Sequence, residues 1–390
     1  MDVNDVDFGS DDLPDLHERL HALRASKPAA WVNFYGERSL MFTGHDLVSK
    51  GFRDEETFPA AVGYVSTASV VMGHNLLSMR DDEHRVNRAL VSPAFRSRLI
   101  PGYIEPLLEP TANALIDCFI DRGEADLVAE FNKKYPFRII TKLLGLPPTD
   151  EEEVSRLAIG ILTVMTDYDY AVQCSKEFRD YLAPLVNRRR SEPEDDLISS
   201  LATTEIDGEQ LTDEEIFAFI LLLFPAGADT TFLGLGNTLY GLLTNPDQFA
   251  TLAADPAEHA RQAAEEGLRW NTPVAMITRR NPTDVVWNDM SIAAGTQLVF
   301  AVVAANRDPA IFDDPDRFDL SRRQAAILTF GLGAHFCLGA QLARVEMDVA
   351  LRLLVERLPN MRLVDDGEVR IGGVIGATFR GPNRLPVTFG

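Results

Sequence analysis

The ten residues 330–339, FGLGAHFCLG, constrain this chain more than any other segment. Gly331 and Gly333 permit backbone conformations and close approaches that a side chain would block. Directly after Cys337, the apolar residues Leu338, Leu342, Val345, Val349 and Leu353 recur at spacings of three to four. That period predicts an amphipathic helix starting just past the cysteine. Its unpaired N–H groups and positive dipole end favour a thiolate at Cys337. A thiolate so placed suits metal binding, and Gly339 leaves room for a flat ligand against the helix start. The plain alternative is that a lone cysteine is a small buried hydrophobe, and this segment alone leaves that open.

Only two other cysteines occur, Cys118 and Cys174, too few and too scattered for a disulfide framework. No CxxC pair is present, which argues against zinc ribbons and thioredoxin-like chemistry. The lack of CxxCH excludes covalently attached haem of the c type. A net charge of −22 disfavours nucleic acid or an anionic membrane as the main partner. The N-terminus is acidic and polar, unlike a signal peptide. The apolar stretch at 216–225 is too short to span a bilayer by itself. The expected location is therefore a reducing cytoplasm.

Residues 76–243 show mostly helical periodicity broken by Pro and Gly, as at Pro101-Gly102 and Pro147-Pro148. Strand-like alternation is confined to about 30–60, including a hairpin around Gly36, to 274–304, and to 385–389. One helix is predicted to begin at Thr212, which has capping-box spacing to Glu215, and to stop near Asn245-Pro246. Its first half is apolar on every side, which implies burial on every side.

Within that helix, Asp229 and Thr230 are costly unless satisfied. Thr230 bonding back to the carbonyl of Ala226 is the simplest way to satisfy it. Pro225 just upstream removes the hydrogen bond to the carbonyl of Leu221 and should kink the helix. Glu266 and Arg269, at i,i+3, would ordinarily mark an exposed helix face. His84 and Arg88, at i,i+4, point the same way and by themselves read as an exposed basic face.

Taken together, these segments resemble the cytochrome P-450 family. Residues 330–339 fill every fixed position of its haem-binding loop, Phe-Gly-x-Gly-x-His-x-Cys-x-Gly. Glu266 to Arg269 fits its Glu-x-x-Arg, and residues 305–309 and 312–322 resemble its meander. Residues 84–95 look like its C-helix, although the prolines often found at the start of that helix are replaced by Asp81 and Asp82.

The resemblance implies a mainly α fold with small β-sheets: a single domain over 1–390, an α-rich lobe plus a β-rich region, with haem b between two long helices. Cys337 becomes the axial iron ligand. Phe330, Gly339 and Ala226 would contact the haem, and His84, Arg88, Arg279 and His335 would pair with its propionates through charge-assisted bonds. Asp229 and Thr230 become the acid–alcohol pair that relays protons during oxygen activation, and Glu266 with Arg269 brace the meander through Arg317.

The implied activity is monooxygenation of a hydrophobic small molecule with O2. No flavin or nicotinamide fingerprint is present, so electrons are expected from a separate ferredoxin and reductase. Arg96, Arg98 and Arg344 are candidate docking residues, although each reads equally well as an ordinary solvated arginine. The substrate pocket is expected from residues 61–75, 159–174, 222–226 and 274–277 and the turn near Ile375, with Thr67, His74 and Asp167 as its polar groups. Two rival readings share the fold: a peroxide-driven haem-thiolate enzyme, and a haem-based sensor or carrier without catalysis. The Asp229–Thr230 pair argues against both.

Overall fold

The computed structural model describes residues 5–65, 69–165, 167–323, 326–364, 368–375 and 377–390. Thr67 lies outside them. The chain is 57% helical with small sheets. It divides into two compact units. One comprises residues 1–60, 112–133 and 230–390; the other comprises 61–111 and 134–229.

The first unit carries the main sheet, in the order Ala29–Phe34, Glu37–Phe42, Gln297–Phe300, Ile277–Arg280. The expected hairpin is present: Ala29 pairs with Phe42 and Phe34 with Glu37, and the turn is closed by Gly36 at φ +74°. The strands at 277–300 fall inside the predicted 274–304 region. Residues 45–53 are a correction, because they form a helix, His45–Arg53, where β-rich structure was expected. Its buried Leu47, Val48, Gly51 and Phe52 recur at helical spacing, so packing on the sheet decides the local structure. Pro386–Thr388 pairs with Arg362–Leu363 on one side and Glu124–Asp126 on the other.

An aromatic cluster fills the space between sheet and helix. Phe42 stacks on Phe300 at 5.7 Å and on Trp287 at 5.2 Å, while Phe52 meets Phe300 edge-on at 5.1 Å. Burial of several such rings, each removing well over about 100 Å² from water, makes this the rigid base of the unit.

The Asp7 carboxylate helps tie the N-terminal segment to the hairpin, beside the Phe8 N–H bond to the Asn33 carbonyl at 2.9 Å. Asp7 Oδ1 accepts from the N–H groups of Gly9 (2.8 Å), Ser10 (3.0 Å) and Tyr35 (2.8 Å), and Oδ2 accepts from Gly36 (2.6 Å). Partial burial pushes the carboxyl up, but these backbone donors outweigh it and hold it below its ordinary value. A depressed carboxylate stabilises the fold above its unfolded pKa and loses that contribution as pH falls through the folded value. Asp7→Ala should therefore cost about 1–2 kcal/mol at pH 7. In thermal melts the gap to the parent protein should narrow in strong acid.

The second unit is helical, built on Asp81–Val91, Lys134–Leu143, Glu151–Leu162, Tyr168–Ser191, Leu197–Thr203 and Asp213–Phe224. The predicted capping box is formed: Glu215 N–H donates to Thr212 Oγ1 at 3.2 Å, and Thr212 N–H donates to Glu215 Oε2 at 2.8 Å. Residues 216–222 are all buried, as the apolar composition required.

The helical run Asp213–Thr244 is 32 residues long, with a mean hydropathy of 1.9 in its most apolar window. By length and composition alone it is long and apolar enough to cross a membrane. Buried core helices have the same composition, and 56% of that window is buried within the protein.

Candidate active site

The cysteine loop belongs to the first unit. Gly331 and Gly333 take the left-handed conformation, at φ +65° and +76°. Gly333 also runs against the end of the His45–Arg53 helix: a Cβ there would lie 2.8 Å from the carbonyl oxygen of Phe52. The loop closes on itself, with Cys337 N–H donating to the Phe330 carbonyl at 2.9 Å. Helix Ala340–Arg357 then starts with Gly339 as its N-cap. Cys337 thus lies half-buried at the N-terminal end of this helix, as the spacing predicted. A Cβ on Gly339 would meet nothing within 4 Å, so the helix start is open on that side.

A buried network shapes the approach to this loop. Arg269 makes a bidentate pair with Glu266, both bonds at 2.8 Å, and both side chains are almost fully buried. The remaining Arg269 donors go to the carbonyls of Asn306 (3.1 Å), Pro315 (2.8 Å) and Arg317 (3.0 Å). Glu266 Oε1 also accepts from Asp319 N–H at 2.9 Å.

Asn306 carries the order forward, accepting from Leu328 N–H at 2.8 Å and donating to Thr329 Oγ1 at 2.9 Å. Leu328 and Thr329 lead straight into Phe330. The expected guanidinium partner, Arg317, is corrected. Arg317 contributes its carbonyl, while the second guanidinium on Glu266 is that of Arg322, at 3.3 Å. Residue type could not separate the two, since both arginines lie in the same meander segment.

Arg279 stands on the strand Ile277–Arg280. It is 9% exposed, and its guanidinium lies over Phe52 at 5.8 Å and Phe300 at 6.0 Å. Its Nε is buried without a hydrogen-bond partner, and Nη1 donates to the neighbouring Thr278 carbonyl at 3.2 Å. Burial pushes its pKa below the ordinary arginine value, against the opposing charge of Glu55. A buried guanidinium with an unused donor is costly. His335 Nε2 lies 3.2 Å from Glu55 Oε1, a partner the sequence reading missed because 280 residues separate them. Arg344 is a correction to the docking set, since it bonds Glu265 and lies over the Phe330 ring at 4.2 Å.

The second unit carries the remaining candidates. His84 is buried and Arg88 half-buried on the helix Asp81–Val91. Three acids, Asp81, Asp82 and Glu83, fill the first turn and complement the helix dipole without the prolines. Pro225 neither breaks nor ends the long helical run. It keeps helical backbone angles (φ −64°, ψ −36°), and Pro225–Asp229 forms a turn of π-helix before Thr230–Thr244 continues as α-helix. A proline cannot return an N–H to Leu221, and the wider turn absorbs that loss.

Asp229 ends this turn and Thr230 begins the next helix, both half-buried; Ala226 is exposed. A Cβ on Gly227 would come 2.8 Å from Ile140 Cδ1, so a side chain there would push the Ile140 tip aside. Arg96 and Arg98 are exposed.

Residues 161–360 match the family described as Cytochrome P450. Cytochrome P450 107B1 of Saccharopolyspora erythraea is 36% identical over 320 residues, covering 81% of this chain and 77% of that protein. The chain belongs to the cytochrome P450 family. It is also 32% identical over 300 residues to the steroid C26-monooxygenase of Mycobacterium tuberculosis, covering 75% of this chain and 80% of that one. Among solved structures, the cytochrome P450 PksS of the Bacillus subtilis bacillaene polyketide synthase aligns at a TM-score of 0.89. It is 29% identical, covering 96% of this chain and 97% of that one. This P450 is an oxygen-incorporating oxidoreductase, and the cofactor of its family is haem. The donor set fits that cofactor: a cysteine at an open helix N-terminus for the iron, and a buried arginine with a donor to spare for a carboxylate.

Proposed function

We propose that this P450 holds haem b through Cys337 and inserts one oxygen atom from O2 into a hydrophobic small molecule. The observation that carries this reading is Cys337 at the start of Ala340–Arg357, in a loop that turns through two left-handed glycines. In the proposed site, Arg279 and His335 neutralise the propionates, and the family resemblance assigns the same role to His84 and Arg88. Phe330, Gly339 and Ala226 pack on the macrocycle. Haem, when bound, supplies the redox chemistry of dioxygen cleavage.

The chain's own residues then do three things. The Cys337 sulfur stays anionic at the helix N-terminus, where backbone N–H groups and the dipole stabilise it. The Thr230 hydroxyl orients a proton for delivery, and the Asp229 carboxyl passes protons inward to it. Apolar side chains exclude water and orient the substrate.

Thr230→Ala should leave electron consumption running while product per electron falls by about tenfold or more, the scale on which a positioned proton donor contributes. The missing electrons should appear as hydrogen peroxide. Unchanged coupling would remove Thr230 from the relay and favour a peroxide-driven enzyme.

A hydrophobic substrate is supported by the second unit's exposed Val65, Val70, Ile159, Tyr168 and Val172, and by a relative named as a steroid monooxygenase. Two of the polar candidates are otherwise engaged: His74 pairs with Glu83 at 2.7 Å, and Asp167 caps its helix through Tyr170 N–H at 3.2 Å. Electrons would come from a separate ferredoxin and reductase in the cytoplasm. With Arg344 occupied, another arginine beside the cysteine loop is Arg53. It is exposed, and its Cα would lie 3.4 Å from a Cβ on Gly333.

A further inference from the structure

Glu55 stands immediately after the His45–Arg53 helix in a segment held on both sides. Asp54 accepts from the Trp287 indole N–H at 2.8 Å and from Thr57 N–H at 3.0 Å, and Phe58 is fully buried in the aromatic cluster. Glu55 itself cannot swing freely, because its Oε1 accepts from Ala60 N–H at 2.7 Å. The same oxygen lies 3.2 Å from His335 Nε2, and the His335 side chain is only 6% exposed. Glu55 also interacts electrostatically with Arg279. Burial pushes its carboxyl up. The bonds from His335 and Ala60 and the charges of His335 and Arg279 outweigh this and hold it below its ordinary value. At neutral pH it is therefore a fixed negative charge.

We infer that Glu55 is a positioning residue for the haem edge: it fixes the imidazole of His335 and sets the charge felt by the propionates and iron, so that it helps determine the reduction potential. The inference rests on the reading that Arg279 and His335 face the propionates. Glu55 thus combines contact with one proposed propionate partner, His335, two residues from the proposed iron ligand, with an electrostatic interaction with another, Arg279. Its direction follows from charge. A carboxylate beside the cofactor opposes arrival of an electron, so the ferric state is favoured while Glu55 is ionised.

Glu55→Gln keeps the size and the acceptor for Ala60 N–H but removes the charge. In the holoenzyme the ferrous-to-ferric ratio at fixed potential should rise by about threefold to tenfold, tenfold being about 59 mV for one electron. The melting temperature should change little. Glu55→Ala should raise the potential similarly and also lower the melting temperature, since it releases both Ala60 and His335. Added salt should shrink the difference from the parent protein only partly, because the group is mostly shielded from solvent.

Arg279→Gln is measured beside them, by potential and by the rate of haem transfer to a haem-scavenging protein. It should lose haem faster. A potential unmoved in both Glu55 variants, with Arg279→Gln losing haem, would overturn the role of Glu55 and leave the site reading standing. An Arg279→Gln protein that keeps its haem and its potential would overturn the propionate reading itself.

Discussion

Glu266→Ala should cost about 3–5 kcal/mol of stability, the largest effect expected of a single side chain here. The loss comes less from the missing pair than from what remains. Arg269, 1% exposed, would keep a buried charge with only carbonyl oxygens around it. Arg322 and the N–H of Asp319 would lose their acceptor as well. Because Asn306 links this network to Leu328 and Thr329, the disorder should reach the cysteine loop. The measurement is a denaturant titration together with haem content. A Glu266→Gln protein should fall between the two, as it retains an acceptor without the charge. Parent-like stability in Glu266→Ala would mean the network is decorative.

Gly333→Ala should be nearly as damaging, for a different reason. At φ +76° any side chain costs about 1–2 kcal/mol in backbone strain. The added Cβ would also sit 2.8 Å from the Phe52 carbonyl oxygen, which belongs to a packed helix end and cannot rotate away. Relieving that clash costs about another 1–3 kcal/mol. The expected result is a protein whose loop shifts, with haem lost on dilution and a lowered melting temperature. Gly102→Ala is the control, since it lies outside the loop and its Cβ would meet nothing within 4 Å. Equal behaviour of the two variants would show that the loop tolerates side chains and that its shape is not set by glycine.

Much of this was legible in the sequence because it is local. A glycine pair, a cysteine and an apolar helix period lie within two dozen residues and fix the loop, the helix start and the sulfur between them. The hairpin around Gly36 and the capping box of Thr212 and Glu215 are equally local, and both formed as expected.

What was not legible depends on distant partners. The helix at residues 45–53 is short, and its apolar positions make sense only against the sheet. Arg322 rather than Arg317 reaches Glu266 because of the path of the meander. Arg344 looked available until Glu265 and Phe330 were found against it. Glu55 carried no signal at all, because its importance lies in His335, 280 residues away. The π turn at 225–229 was half legible: Pro225 announced a disturbance, but not that the helix would widen and continue.

The most direct test of the central claim is the Soret band of the purified holoprotein, reduced under carbon monoxide, compared with that of Cys337→Ser. The account predicts a strongly red-shifted carbonyl band of the thiolate type in the parent protein and its disappearance in Cys337→Ser. A thiolate-type band that survives in Cys337→Ser, or an imidazole-type band in the parent protein, would contradict it.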